Sequence, residues 1–289
     1  MNRVGDLVAR AGRWIERHRP VRLARGMITG FIETDGMLYA GAIAYFALLS
    51  LFQIAVLGIV LLGVLLGEDR ARSLVIEQLV AYTPMSAGDA LDVTGAVLEA
   101  HAGLGLFAIP LLAFGGIGLL FALQRGVSRA FHTTPRAGAL REQLTNLALL
   151  ALIGVLLAAS LFIGVVVGLV QAVIERIDVP GGWVAVQAVG LVVPFLLSFA
   201  SLLLIYRFIP AGPVTLKVVW VAALLAGAAW TGLQLLLTVF ATRVADYANV
   251  FGPIGTAVSL VLFSFVSSVI VLLGASLAHA KLVDENRVR

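Results

Sequence analysis

Residues 36–67 read GMLYAGAIAYFALLSLFQIAVLGIVLLGVLLG, about thirty residues without one Lys, Arg, Asp or Glu. Roughly 20 predominantly apolar residues suffice for a helix to cross a hydrocarbon core of about 30 Å. The run exceeds that length, and it is far longer than the roughly 7–15-residue core of a cleaved signal peptide, so it reads as a retained signal anchor. Five further stretches of the same kind follow: Leu104–Gln124, Leu144–Ile174, Trp183–Tyr206, Val218–Phe240 and Gly252–Ala280. The first, third and sixth runs are longer than the minimum, which implies tilt or extension beyond the lipid. The expected fold is all-α, a polytopic membrane helix bundle with about six transmembrane helices plus short amphipathic N-terminal and extracytoplasmic helices.

Composition agrees. Hydrophobic residues make up 61% of the 289 and charged residues 12%, more apolar surface than a soluble core of this size can bury. Cysteine is absent, which excludes disulfides, thiolate metal ligands and Cys nucleophiles. A pI of 9.8 would suggest nucleic acid if the basic residues were clustered for that purpose, but their positions follow membrane topology instead. Sixteen Lys and Arg fall before the first run, between runs two and three, between runs four and five, and after the sixth; only Arg70, Arg72, Arg176 and Arg243 fall on the other side. The positive-inside rule reads this as cytoplasmic termini. Nine acidic residues lie on the outer side and seven on the inner. The expected location is a bacterial cytoplasmic (inner) membrane, multi-pass, with both termini cytoplasmic.

The chain then divides into a cytoplasmic amphipathic segment (residues 1–35), a transmembrane domain (36–280) and a cytoplasmic tail (281–289). Segment 1–35 reads as two short helices split at Pro20, with Val4, Val8, Ala11 and Ile15 on one face. It suits either the membrane surface or a cap packed on its own bundle. Residues 68–103 form the one large external segment. It reads as a helical hairpin with Leu74, Gln78 and Ala81 in one register and Leu91, Thr94, Val97 and Leu98 in the other, broken at Thr83-Pro84 and restarted by a capping box from Ser86 to Asp89. It is either a lid over a pathway mouth or a solvated connection.

Small residues recur every four positions at Ser160, Gly164 and Gly168 and at Ala223, Gly227 and Thr231, a pattern that permits close helix approach. Pro194 falls near the middle of the fourth run, where it should kink the helix. Polar residues at mid-depth are Ser50, Gln53, Ser198, Ser201, Thr231, Gln234, Ser264, Ser267 and Ser268. A lipid-facing amide would cost several kcal/mol, so these groups should turn inward, either to line a polar groove or to hydrogen-bond between helices. No carboxylate or paired charge lies at depth, which argues against simple proton-coupled antiport.

Enzyme chemistry finds no footing. His18, His101, His132 and His279 are scattered singly, and no P-loop, GxSxG or HExxH is present. The chain is read as a non-enzyme without metal or cofactor.

Several motifs together carry a family resemblance: Asp35 followed by Ala42-Ile-Ala-Tyr45-Phe-Ala-Leu-Leu-Ser50-Leu-Phe52; Tyr206-Arg207-Phe208-Ile209-Pro210; Tyr247 through Phe251-Gly252-Pro253-Ile254-Gly255; and Leu273-Gly274-Ala275. With these the chain resembles the YihY/virulence factor BrkB family of bacterial inner-membrane proteins, formerly labelled ribonuclease BN-like. Gln53 stands where that family often has Pro, and Ser276 where it often has Glu. The resemblance implies a six-span protein connected with the cell envelope, including lipid or lipopolysaccharide homeostasis.

The leading functional expectation is a transporter or flippase-like protein for envelope lipids or amphipathic substrates. Gln53, Ser198, Gln234, Ser264 and Ser268 would line the substrate pathway, and Arg125, Arg129 and Arg207 would bind headgroups. Partners would be membrane lipids and envelope-biogenesis proteins, with no nucleic acid. The alternatives are a non-transporting envelope scaffold and a membrane ribonuclease.

Overall fold

Eight helices follow one another in the described residues of a computed structural model, which are 19–82, 87–104, 108–133, 182–210, 214–243 and 245–288. They are α1 (Arg19–Glu33), α2 (Gly36–Leu66), α3 (Glu68–Tyr82), α4 (Ala87–Leu104), α5 (Ala108–Ala130), α6 (Gly182–Phe208), α7 (Leu216–Arg243) and α8 (Ala245–Val288). The first, second, fourth, fifth and sixth apolar runs fall on α2, α5, α6, α7 and α8. The third run lies outside the described residues, with its Ser160, Gly164 and Gly168, as do the segment 1–18, the Thr83-Pro84 break and Ser86.

Length and composition qualify three of the described helices to cross a membrane, over Gly190–Phe208, Leu216–Leu237 and Ala257–Glu285. A fourth qualifies if α1 and the first part of α2, bent by 71° where they meet, count as one. The bend is built locally. Asp35 takes a left-handed conformation (φ 55°), tolerated by Asp because its short polar side chain bonds locally. Its N–H donates to the Ile32 carbonyl and its own carbonyl accepts from Leu38 and Tyr39, ending one helix and starting the next. Gly36 is required there, since a Cβ would meet the Phe31 ring at 2.4 Å and the Phe31 carbonyl at 2.6 Å.

The 44-residue α8, about 66 Å long, is the element around which the others pack, touching α1, α2, α5, α6 and α7. α1 runs antiparallel along its C-terminal part: Gly26 lies where a Cβ would meet that of Ala280 at 3.0 Å, and Gly30 faces Ser276. α2 continues beside α8, and Gly126 of α5 closes the triangle against Tyr39, Ile43 and Leu272. α6 and α7 pair through Gly227, where a Cβ would stand 3.3 Å from the Phe199 backbone. Ala223, Gly227 and Thr231 are all buried, so this small-residue stripe is a packing surface.

The 68–103 segment consists of two helices; α3 buries Val75 and Leu79 and leaves Leu74 half-exposed. On α4, Ala90 and Thr94 are buried while Leu91 is 52% exposed. Val75, Leu79 and Ala90 cluster with Leu260 of α8, and Leu48 and Leu51 of α2 pack against them. α8 continues unbroken from the sixth run to Val288 and buries Asp284. A carboxylate is tolerated there because Arg19 and Arg22 of α1 neutralise it.

Candidate functional site

Three of the mid-depth hydroxyls bond within their own helices. Ser50 donates to the Ala47 carbonyl (3.1 Å), Ser201 to Leu197 (2.7 Å) and Ser268 to Ser264 (2.7 Å). This back-bonding satisfies a polar group in an apolar surrounding without a partner helix. Ser198, Ser264 and Gln234 are half-buried on α6, α8 and α7, and Ser268 is buried. The side chain of Gln53 lies outside the described residues. Thr231 Oγ1, Ser267 Oγ and Ser276 Oγ are buried with no hydrogen-bond partner among the described residues.

The basic residues converge. The C-termini of α5, α6 and α8 and the N-termini of α1 and α7 share one end of the bundle, as the contacts fix it. Lys281 Nζ donates to the Lys217 carbonyl at 2.6 Å and lies 5.9 Å from the centre of the Trp220 ring. Arg19 Nε and Arg22 Nε donate to Asp284 Oδ2 and Oδ1 at 3.0 and 2.7 Å. Arg125 and Arg129 are exposed on the last turns of α5, the former 4.5 Å over the Phe121 ring. Arg207 is half-buried on the last turn of α6, 6.0 Å from the Phe208 ring. The acidic residues of α3 and α4 lie toward the other end, where these helices pack near Leu260.

At the basic end a cleft of about 280 Å³ opens between α1, α8 and the end of α5. Arg22, Thr29, Glu33, His132, His279 and Asp284 give it its polar lining. The two histidines stack, ring centroids 4.5 Å apart and planes 28° from parallel. Phe131 meets His279 edge-on at 6.5 Å. His132 is held there by the end of α5: its N–H donates to the Arg129 carbonyl and that of Thr133 to the Ser128 carbonyl, with His132 itself at φ 52°. This is the Schellman arrangement that Gly usually completes. His279 Nδ1 is buried without a hydrogen-bond partner among the described residues.

Reading the sequence missed this constellation, since 147 positions separate His132 from His279. The available signal was positional: both histidines, and Asp284, fall at or near the ends of apolar runs. Among the described residues, no group of three or more His, Asp or Glu is arranged to hold a metal ion.

Long apolar helices around α8, with a basic end carrying a polar cleft, define a helical membrane protein. Residues 27–287 match the family described as Virulence factor BrkB, and the chain belongs to that family. It is also similar to the ribonuclease-like protein YfkH of Bacillus subtilis (strain 168), 26% identical over 272 residues that cover 87% of this chain and 94% of that protein. No solved structure matches.

Proposed function

We propose that this BrkB-family protein is a multi-pass protein of the bacterial inner membrane, with both termini cytoplasmic, that moves envelope lipids or other amphipathic substrates across the bilayer. The observation that carries the reading is the gathering of basic side chains at one end of a bundle whose flanks are apolar. Phe114, Ile117, Leu196, Leu236, Val261 and Leu262 are each 52–65% exposed, as lipid-facing residues are. Trp220, 47% exposed beside Lys281 and Lys217, suits the membrane–water interface. Arg125, Arg129 and Arg207 would meet anionic headgroups of the inner leaflet, while Ser198, Gln234, Ser264 and Ser268, with Gln53, would line the route of the polar end.

Reconstitution into liposomes with labelled lipids tests this: protein-dependent transbilayer movement is expected, and none across a broad headgroup panel overturns it. Replacing Arg125, Arg129 and Arg207 with Gln should reduce transport more than thermal stability. The second reading is an envelope scaffold, supported by the exposed apolar residues Ile28 and Ile32 on α1. Crosslinking that recovers a stoichiometric envelope protein, with no transport by the purified chain, would favour it. The ribonuclease-like name of the Bacillus subtilis relative suggests a third activity, which RNA cleavage by protein free of contaminating nuclease would establish. We read the chain as a non-enzyme without cofactor.

A further inference from the structure

α1 carries more apolar surface than the bundle covers. Gly26 and Gly30 turn to α8, and Phe31 is buried in the core. Ala24, Ile28 and Ile32, spaced four residues apart, share a strip that faces outward, with Ile28 52% and Ile32 68% exposed. Around the helix the strip is bordered on one side by Phe31 and on the other by Arg25, Thr29 and Glu33, all three exposed. Met37 and Leu38, 61% and 73% exposed, carry the apolar exposure past the bend into α2.

The level of α1 in the molecule identifies what covers the strip. Gly126 of α5 packs on Tyr39 of α2, and Gly118 on Phe46, so α2 runs antiparallel to α5. The bend at Asp35 therefore stands level with the last turns of α5, which carry the exposed Arg125 and Arg129. Nearer the start of α1, Gly26 packs on Ala280, the neighbour of Lys281, which meets Lys217 and Trp220. α1 thus lies within a belt of basic and amphipathic side chains of the kind found at a membrane–water boundary. Its direction fits the same layer. The 15 residues make a helix about 22 Å long. Bent by 71° from the first part of α2, it advances only about 7 Å along that axis. One headgroup layer is about 5–8 Å thick, half the difference between a whole bilayer and its hydrocarbon core. A helix with one polar arc and one apolar strip settles in such a layer, its apolar side about 5–10 Å into the boundary with the acyl chains. The strip also adjoins Met37 and Leu38, on a helix that continues into an apolar run, so its neighbours already require lipid.

We propose that α1 is an interfacial helix, its strip of Ile28 and Ile32 in contact with lipid where headgroups meet acyl chains, and its arc of Arg25, Thr29 and Glu33 turned to water. The choice of the inner leaflet rests on the orientation proposed above; lipid contact does not. The test uses the purified full chain in liposomes of phosphatidylethanolamine and phosphatidylglycerol, and the absence of cysteine makes single labels possible. A nitroxide is placed on Ile28→Cys, Ile32→Cys, Thr29→Cys or, as a lipid-facing reference, Leu262→Cys. Its collisions with oxygen and with a water-soluble nickel chelate are then measured. Ile28→Cys and Ile32→Cys should favour oxygen, as Leu262→Cys does, and Thr29→Cys should favour nickel.

Nickel-favoured collisions at both isoleucine positions would overturn lipid contact and leave the strip open to a soluble protein. Spin–spin broadening that dilution with unlabelled chain removes would place a second copy there. Weak collisions with both reagents, without broadening, would place another part of this chain there. Either result overturns the assignment. Ile32→Asp, a change at an exposed position, should speed hydrogen exchange of α1 amides about tenfold while α6 and α7 keep their protection; unchanged exchange in α1 would also overturn it. Thiol labelling that puts α1 on the outer side would sink the orientation and leave lipid contact standing, in the other leaflet.

Discussion

Tyr206 and Gly274 show at the scale of single residues why two separate motifs of the sequence belong together. Tyr206 is fully buried and its hydroxyl donates to the Val271 carbonyl of α8 at 2.7 Å. The ring reaches α8 only because position 274 has no side chain: a Cβ there would fall 2.2 Å from the Tyr206 hydroxyl oxygen and 2.8 Å from the Ala226 Cβ. Gly274→Ala should therefore destabilise the protein by about 1–3 kcal/mol, the usual range for overpacking, although alanine is the better helix former. Tyr206→Phe removes only the hydroxyl and should cost about 1 kcal/mol. Thermal unfolding of both variants in detergent checks the order; a Gly274→Ala protein as stable as wild type would mean that α6 and α8 are not this close.

At the scale of elements, α1 is attached by two different kinds of contact. Gly26 and Gly30 set the distance to α8, and the Arg19–Asp284–Arg22 cluster fixes the register. The carboxylate is only 5% exposed, while the side chains of Arg19 and Arg22 are 59% and 36% exposed. Removing the cations should thus be worse than removing the anion. Arg19→Gln with Arg22→Gln leaves an unpaired buried carboxylate, for which about 3 kcal/mol is expected, the lower end of the range for breaking a buried pair. After Asp284→Asn the arginines can turn to water, and the loss should be clearly smaller. Hydrogen exchange localises the effect: α1 amides should exchange faster in the double variant while α6 and α7 stay protected. Uniform acceleration through all helices would show that α1 is integral to global stability.

The orientation of the whole molecule is open to a direct experiment because the chain has no cysteine. Single reporters Arg125→Cys and Glu77→Cys, both at exposed positions, should react with a membrane-impermeant thiol reagent from opposite sides of the membrane. Arg125→Cys should label only in inverted vesicles and Glu77→Cys only in intact spheroplasts. Labelling of both from one side would overturn the inside-positive reading and, with it, the leaflet assigned to α1.

Helices α2, α5, α6, α7 and α8 were legible from the sequence because a long uncharged run has one physical solution in lipid, a helix that satisfies its own backbone. The separation of basic from acidic ends was legible for the same reason, since charges are excluded from the runs and so mark their ends. Which face each helix buries was not legible where both faces are apolar. The burial of Val75 and Leu79 on α3 and of Ala90 on α4 depends on the shape of α2 and α8, and hydropathy carries no record of shape. Likewise the self-bonded Ser50, Ser201 and Ser268 have the same sequence appearance as groove-lining serines. The His132–His279 stack and the burial of Asp284 were decided only by tertiary structure, because α8 brings together helix ends that lie far apart along the chain. Sequence by itself determined the solvent of this protein and the helices that solvent demands; the fold alone determined which polar groups meet at their ends.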